Sequence, residues 1–278
     1  MFHPISRRGF MGASVAASGL PFVGSLPALA AAAGGIPVGV ATYSLRKFDR
    51  AKAIEILKKL NVKDISIKEF HLLYKDSPEQ TIAGAKEFRD AGFNILSGGN
   101  IDLKKPAENK KMFEYAKNAG MPMIVCAPSH ATLEDVEKLV KEYNIKAAIH
   151  NHGPEDKEFP TPDSVLKAIA KMDPRMGLCM DIGHSTRAGA DPVEAAKAAG
   201  NRLFDMHIKD LVKQGDKWQQ VAVGDGNIPF VALCKQLRKQ GYKGAMMLEY
   251  EINADDPYPG MERSLSYARG VLAGLAGA

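Results

Sequence analysis

Four short stretches in the C-terminal half of the chain combine imidazole and carboxylate side chains, which are common ligands of divalent metal ions in enzymes. They read His150-Asn151-His152-Gly153, Met180-Asp181-Ile182-Gly183-His184, His207-Ile208-Lys209-Asp210 and Glu249-Tyr250-Glu251. The chain has 7 histidines, and four of them lie in these stretches. His150, Asp181, His207 and Glu249 therefore predict a site for one divalent ion, with Mn²⁺, Co²⁺, Zn²⁺, Fe²⁺ and Mg²⁺ as the candidates.

Each stretch follows a short apolar segment that is typical of a strand buried on both faces. Such segments recur at residues 38–43, 62–68, 93–97, 122–126, 146–150, 176–181, 203–208 and 244–250. The predicted helices that follow them span 51–60, 78–91, 107–119, 133–143, 162–171, 192–199, 229–240 and 261–275. Eight strand–helix units in about 250 residues predict an α/β fold of the (β/α)₈ TIM-barrel class.

Helix boundary signals support this alternation. The predicted helix starts are Ser77-Pro78, Thr161-Pro162, Asp191-Pro192, and Thr132 with Asp135 three residues later. The predicted helix ends are the glycines at positions 92, 120, 200 and 241.

The alternative α/β fold is an open, doubly wound sheet, which normally carries a glycine-rich turn after its first strand. Here that turn reads Thr42-Tyr43-Ser44-Leu45 and contains no glycine, so the barrel is favoured. In a barrel the active site lies where the strands end and the loops to the helices begin. The four stretches occupy the ends of predicted strands five to eight, which are neighbours in a barrel, so we expect them to meet.

The first 30 residues predict an export signal. Ser6-Arg7-Arg8-Gly9-Phe10 precedes a modestly apolar run, and Ala28-Leu29-Ala30 fits a signal-peptidase site, a combination that resembles a twin-arginine signal. Cleavage there leaves residues 31–278 as a barrel that is periplasmic or secreted, after contact with the twin-arginine translocase. Glycines and prolines interrupt the run, so we expect no stable membrane insertion after cleavage. The alternative, an ordinary first helix, is disfavoured because the segment has no acidic residue and no polar helical face.

Composition excludes several classes of protein. With 278 residues, 45% hydrophobic and 25% charged, the chain is not disordered or fibrous. The net charge of +5 includes Arg7 and Arg8, and the remaining charges are interspersed, which argues against a nucleic-acid partner. Three widely spaced cysteines, Cys126, Cys179 and Cys234, do not form a disulfide framework. The sequence leaves the oligomeric state open, including a homo-oligomer.

The C-terminal half resembles the xylose-isomerase-like barrel family of sugar isomerases and epimerases, which also includes the endonuclease IV-like enzymes of AP endonuclease family 2. The resemblance rests on five stretches in order: Met180 to His184, His207 to Asp210, Gly224-Asp225-Gly226-Asn227-Ile228-Pro229, Gly241-Tyr242-Lys243-Gly244 and Leu248-Glu249-Tyr250. The N-terminal half shares only the strand–helix rhythm and Ile67-Lys68-Glu69. The resemblance implies the TIM-barrel fold and a metal-dependent reaction on a carbohydrate.

One position departs from the family pattern. The family's sugar epimerases hold one metal with Glu, Asp, His and Glu from strands five to eight, and Asp181, His207 and Glu249 match the last three. His150 stands where the first glutamate would be. In the epimerases the two glutamates exchange protons on opposite faces of the substrate, and a metal-bound imidazole cannot also act as a free base. With two carboxylates instead of three, the cation would be less neutralised and a stronger Lewis acid.

The resulting hypothesis is a metal-dependent sugar isomerase or epimerase that removes a proton next to a carbonyl. Glu249 is the first candidate for the base, and His184 and Glu69 are candidates for a second catalytic proton carrier. The remaining candidates bind a small-molecule carbohydrate: His152, Lys209, Lys68 and Trp218. Three of these assignments stay open, because Glu69 could be a solvated loop charge, Lys209 could pair with a carboxylate, and Trp218 could pack down its long loop.

Other functions remain as alternatives. The absence of a glutamate at position 150 makes β-elimination by a lyase acting on 3-keto-glycosides credible, because elimination needs no symmetric pair of carboxylates. A hydrolase acting on the same glycosides is a further candidate. A non-catalytic barrel that binds a sugar or a partner is also open. An abasic-site endonuclease is disfavoured because its three zinc ions need more His and Asp ligands than this chain offers. Export disfavours sugar phosphates, and the turn Gly224-Asp225-Gly226 is favoured as a helix entry over a phosphate cradle.

Overall fold

The computed structural model describes residues 35–277 as a closed barrel of eight parallel strands, and the predicted export signal lies outside the described residues. The barrel strands are β1 (Val38–Ala41), β2 (Asp64–Ile67), β3 (Asn94–Leu103), β4 (Met123–Pro128), β5 (Lys146–His150), β6 (Met176–Asp181), β7 (Leu203–Ile208) and β10 (Met246–Leu248). They follow one another around the barrel in chain order, and β10 closes it by pairing with both β7 and β1. The predicted (β/α)₈ fold is confirmed.

Helices follow each barrel strand. They are α1 (Arg50–Lys59), α2 (Pro78–Asp90), α3 (Pro106–Asn118), α4 (Leu133–Tyr143), α5 (Pro162–Ile169), α6 (Ile182–Arg187), α7 (Pro192–Ala199), α8 (Phe230–Lys239) and α9 (Tyr258–Ala276). The short α6 was not predicted, and it continues directly from β6. Within residues 35–277, no helix combines the length and apolar character needed to cross a membrane.

Most of the predicted helix boundaries have the expected local cause. The side chains of Ser77, Thr161 and Asp191 accept hydrogen bonds from the backbone N–H groups of the first turns of α2, α5 and α7. All four predicted glycine ends have positive φ, from 49° at Gly200 to 96° at Gly92. The predicted start at Thr132 is confirmed, because Thr132 directly precedes α4, but its hydroxyl donates to the Ser129 carbonyl and does not cap the helix.

The main core lies between the outside of the barrel and the helices, where residues such as Ile65, Ile124, Phe88 and Phe113 are fully buried. A second, smaller layer fills the barrel interior. It consists of Met123, Val125, Ala148 and Cys179 with Phe204, and of Ala41, Ala245 and Met247 with Leu96. The interior is therefore packed, as in other barrels of this kind.

Strand periodicity places the predicted metal ligands directly above this inner layer. Side chains two residues apart on a strand point to the same face. His150 therefore follows Ala148 into the barrel, and Asp181 follows Cys179 in the same way. Both ligands end their strands, so they lie at the mouth where the loops begin.

The segment after β7 differs from the prediction. Instead of a long loop it forms an antiparallel hairpin of β8 (Asp210–Gln214) and β9 (Lys217–Val221). Trp218 is half-buried on β9, and the Lys213 ammonium lies 5.8 Å from the centre of its ring. Gln220, two residues on and so on the same face, donates from Nε2 to the Glu249 carbonyl at 3.0 Å. The hairpin is thus attached beside the end of the eighth barrel strand.

Candidate active site

The structure brings the four predicted metal ligands together at the mouth of the barrel. His150 Nε2 lies 3.2 Å from His207 Nδ1 and 3.5 Å from Asp181 Oδ2, and His207 Nδ1 lies 3.3 Å from Glu249 Oε2. One ligand atom from each of the four residues falls within 4.8 Å of all the others. The two imidazoles and the Asp181 carboxylate are buried, and Glu249 is mostly buried.

These separations fit a shared cation. Nitrogen and oxygen ligands held about 2.0–2.2 Å from one ion in a tetrahedral arrangement lie about 3–3.5 Å from each other. Burial lowers the pKa of His150, which keeps its imidazole neutral and able to ligate. Burial also opposes the charge on His207, yet Cys179 and Glu249 raise the pKa of His207 well above its usual value, so His207 would release a proton on binding an ion. Asp181 Oδ2 is buried and faces the Lys209 ammonium at 3.0 Å, a charge contact without hydrogen-bond geometry. The donor set and its geometry therefore suit a divalent ion.

Asp181 is held in place by its own loop. Its Oδ1 accepts from the backbone N–H of His184 at 2.7 Å, which caps α6 and leaves Oδ2 facing His150. Asn151 fixes the backbone on both sides, because its Oδ1 accepts from Asp181 N at 3.0 Å and its Nδ2 donates to Asp181 O at 3.2 Å. Such outer contacts orient ligands and are part of a metal site.

Lys209 pairs with carboxylates in this structure. Its Nζ lies 2.8 Å from Glu249 Oε2 and 3.0 Å from Asp181 Oδ2, and it also contacts the Glu251 carboxylate. Burial opposes its charge, but Asp181, Glu249 and Glu251 together raise the pKa of Lys209 well above its usual value. Burial likewise opposes the charge on Glu249, yet Lys209 and His207 hold the pKa of that carboxyl well below its usual value. Of the two interpretations of Lys209, the structure favours the carboxylate partner.

Four histidines form a continuous group at the mouth: His150, His152, His184 and His207. The His184 ring centre lies 5.7 Å from that of His150 and 4.9 Å from that of His152, and the His150 and His152 centres are 5.3 Å apart. His152 is exposed, whereas His184 is half-buried and its Nδ1 lies 3.0 Å from Arg187 Nη1. Burial lowers the pKa of His184 to about 4. Both residues border the metal ligands, as the sequence predicted, and their roles stay predictions.

Three other predicted site residues lie on neighbouring loops. Lys68 Nζ donates to the Asn100 carbonyl at 2.8 Å and lies 3.0 Å from Glu69 Oε2. Between residues 35 and 277, no hydrogen bond or ion pair links Lys68, Glu69 or Trp218 to the four metal ligands. The catalytic role of Glu69 and the substrate-binding roles of Lys68 and Trp218 therefore stay predictions.

Asp205 was missed by the sequence analysis. Its carboxylate is buried inside the barrel and accepts from Ser97 Oγ at 3.2 Å. It also lies with Cys179 and His207 in a buried group whose ligand atoms are within 4.8 Å of one another. The signal was its spacing, two residues before His207 on the same strand. Burial raises the pKa of Asp205 to about 6.

This raised pKa makes the stability of the protein depend on pH. The pKa of Asp205 is about 6 in the folded chain, against its usual value of 3.8. Protonated Asp205 therefore contributes its full stabilisation of the fold below pH 3.8, and this contribution is lost as the pH rises through about 6. At pH 8 we expect Asp205→Asn to be more stable than the wild type by up to about 3 kcal/mol, since each pKa unit corresponds to about 1.4 kcal/mol.

Urea unfolding in chelator at pH 4.5 and pH 8 measures this effect. Asp163→Asn, which changes an exposed carboxylate on α5, is the matched control and should change stability little at either pH. An Asp205→Asn difference of the same size at both pH values would contradict the assignment.

The glycine turn after the hairpin is already occupied by a side chain. The Asp210 carboxylate accepts from the backbone N–H groups of Gly224, Gly226 and Ile228 at 2.9, 3.1 and 3.1 Å. Gly224 has a φ of 99°, as a tight turn requires. The favoured helix-entry interpretation is therefore confirmed, because the amides that could have cradled a phosphate already have a carboxylate partner.

The fold and this cluster define a parallel (β/α)₈ barrel with a candidate divalent-metal site at the carboxyl ends of its strands. The chain belongs to the xylose isomerase-like TIM barrel family, whose sequence model matches residues 51–270. This confirms the family resemblance and the fold that it implied.

Named relatives align with part of the chain. The rhizopine catabolism protein MocC of Rhizobium meliloti is 28% identical over 152 residues, which are 49% of this chain and 45% of that protein. An inosose dehydratase of Clostridium tetani is 29% identical over 152 residues, 49% of each chain. The alignments span about half the length of these relatives.

A solved structure agrees over a larger part of the chain. The 3-keto-D-glucoside 4-epimerase YcjR of E. coli matches with a TM-score of 0.67 and 17% identity, covering 84% of this chain and 99% of that one. At this identity the likeness shows the fold.

Proposed function

We propose that this protein is a metal-dependent enzyme that removes a proton from the carbon next to a carbonyl of a carbohydrate, as a sugar isomerase or epimerase does. The observation that carries the proposal is the convergence of His150, Asp181, His207 and Glu249 at the barrel mouth, with ligand atoms within 4.8 Å of one another. Relatives named as a dehydratase of inosose and an epimerase of a 3-keto-glucoside support a carbohydrate substrate.

Each residue of the site would have a separate role in the proposed reaction. A divalent ion held by the four ligands would supply Lewis acidity, which polarises a carbonyl and acidifies the adjacent C–H bond. Glu249 borders the same space and would accept the proton, because its carboxylate stays ionised beside Lys209 and His207. The Lys209 ammonium holds the Asp181 and Glu249 carboxylates in one arrangement, at 3.0 and 2.8 Å. His184 and His152 border the ligands and would contact substrate oxygens.

A second candidate is β-elimination from a 3-keto-glycoside or a related keto-sugar. The observation that favours it is His150, which is buried among the ligands where a second glutamate would serve an epimerase. In an elimination the base takes the α-proton, the C–H electron pair forms a C=C bond, and the β C–O bond breaks. The leaving oxygen then takes a proton, so one base and one proton donor suffice.

The location of the reaction is part of the same proposal. The N-terminal arginine pair and the small residues up to Ala30 support export by the twin-arginine translocase to the periplasm or beyond. In that location free or oxidised sugars and glycosides are the expected substrates, and phosphorylated sugars are not.

Deuterium exchange tests the proposal. The purified protein, loaded with Mn²⁺, is incubated in D₂O with a panel of free ketoses, 3-keto-glucosides and keto-inositols, and the products are followed by NMR and mass spectrometry. We expect ion-dependent exchange at a carbon next to the carbonyl, lost in chelator; deuterated epimers indicate epimerisation, and an α,β-unsaturated ketone indicates elimination. If the ion binds and no panel member exchanges or reacts, the non-catalytic binding barrel replaces this proposal.

A further inference from the structure

Arg187, which is not one of the metal ligands, contacts the imidazole of His184, a candidate catalytic residue. It ends the short helix α6, one turn after His184, and its Nη1 lies 3.0 Å from His184 Nδ1. An arginine guanidinium has donors and no acceptor, and it stays charged in proteins. His184 Nδ1 must therefore accept this hydrogen bond, so it carries no proton.

The guanidinium is itself held in place. Arg187 Nη2 contacts the Glu155 carboxylate, which comes from the loop after β5. The Arg187 side chain is 29% exposed, whereas the Glu155 side chain is 65% exposed. The three side chains form a relay from Glu155 through Arg187 to His184, and it joins the loop after β5 to the helix after β6.

The backbone at Gly153 leaves space for the side chains of this relay. Gly153 has a φ of 89°, a conformation that side chains rarely adopt. A Cβ atom there would lie 3.1 Å from His184 Nδ1, 3.2 Å from Glu155 Oε2 and 3.6 Å from Arg187 Nη1. All three atoms belong to the relay, so the glycine leaves space for all three side chains at once.

We propose that Arg187 is a positioning residue that holds His184 as the neutral tautomer with its proton on Nε2. His184 Nε2 lies on the other edge of the ring and has no protein hydrogen-bond partner among the described residues, while the His150 and His152 rings flank it at 5.7 and 4.9 Å. His184 then donates a hydrogen bond to a substrate oxygen and does not act as the second proton acceptor.

This inference rests on the proposed function and reduces the number of residues that could act as its base. With His150 among the ligands and His184 restricted to donation, these two imidazoles are not available as bases, which leaves Glu249 and the exposed His152 beside the ligand cluster. Isomerisation on one face of the substrate and β-elimination both need only Glu249, whereas two-faced epimerisation would need His152 as a second acceptor. A keto-sugar that reacts with one base, by isomerisation or by loss of a group β to its carbonyl, is therefore the favoured substrate class.

The tautomer is measured without turnover. The full chain is labelled with ¹⁵N-histidine and loaded with Zn²⁺, which is diamagnetic. Long-range ¹H–¹⁵N NMR at pH 7 then reports which ring nitrogen of His184 carries the proton. The signal that disappears in the His184→Gln variant is assigned to His184. We expect a protonated Nε2 and a bare Nδ1 in the wild type. In Arg187→Met both tautomers should be populated, and in Arg187→Lys, which keeps a charged donor group, the Nε2 tautomer should again dominate.

Arg263→Met is the matched control, because Arg263 also pairs with a carboxylate, Asp225, and has no contact with His184 in the structure. It should leave the His184 signal unchanged. We expect Arg187→Met to slow deuterium exchange about tenfold, the effect of about 1.4 kcal/mol of lost orientation, with metal content unchanged. Glu155→Gln should have a smaller effect, since Arg187 remains.

The outcomes separate the two proposals. A proton on His184 Nδ1 in the wild type, or an Arg187→Met spectrum identical to the wild type, overturns the role of Arg187 even if the enzyme enolises sugars. A missing metal ion or the absence of exchange overturns the proposed function, while the tautomer measurement still decides the role of Arg187. Rapid formation of deuterated epimers with an Nε2-protonated His184 would overturn the restriction to one base.

Discussion

His207→Ala is expected to lose the divalent ion and, with it, the exchange activity. His207 Nδ1 faces both His150 Nε2 and Glu249 Oε2, at 3.2 and 3.3 Å, so it occupies the centre of the ligand set. Removal of one of four ligands should weaken ion binding by at least about 100-fold, more than changes in outer contacts usually do. Loss of a Lewis acid that contributes several kcal/mol should reduce deuterium exchange by about 10³-fold.

Elemental mass spectrometry of the purified protein and titration with Mn²⁺ measure the loss of the ion. His130→Ala is the matched control, since His130 is exposed and its ring nitrogen contacts the Glu158 carbonyl, away from the ligands. Thermal unfolding in chelator checks that His207→Ala folds, and His207→Asn provides a less disruptive variant. About one ion per chain in both His207 variants would show that the ion is held elsewhere.

The barrel was predictable because its strands are buried on both faces. β5, β6 and β7 span the predicted residues, each an apolar run with a polar residue at its end. The four ligands could be predicted for the same reason, since the barrel brings the ends of neighbouring strands together. Their mutual distances depend on packing in the inner layer, which the sequence does not display.

The elements that were missed lack such a pattern. The hairpin strands β8 and β9 are short and largely polar or exposed, so their sequences favoured a loop around Trp218. α6 has six residues, too few for a helical period to show. Without that helix, His184 and Arg187 could not be placed one turn apart on one face.

The spacing of Asp205 from His207 was visible in the sequence, but the irregularity in strand pairing beside Asp205 was not. The register between β6 and β7 shifts after Leu178, which pairs with Leu203, so that Cys179 pairs with Asp205. Phe204 packs in the inner layer, and Asp205 contacts Ser97 on β3. A regular strand would place these consecutive side chains on opposite faces, and such shifts are not visible in a sequence.

Glu249→Gln tests the assignment of the base. The amide has nearly the shape of the carboxylate and keeps an oxygen that can ligate, but it cannot accept the substrate proton. We expect the variant to retain a divalent ion with lowered affinity and to lose about 10²–10⁴-fold in deuterium exchange. Metal analysis and exchange rates on the same preparation separate loss of the base from loss of the ion.

The control is Glu251→Gln, because Glu251 also contacts the Lys209 ammonium and is more exposed than Glu249. If Glu249 acts as the base, Glu251→Gln should change the exchange rate by less than about tenfold, since it alters only the charge around Lys209. An equal loss in both variants would assign the effect to the ion pair with Lys209. Full exchange in an ion-loaded Glu249→Gln would exclude Glu249 and leave Glu251 or Glu69 as the carboxylate to test.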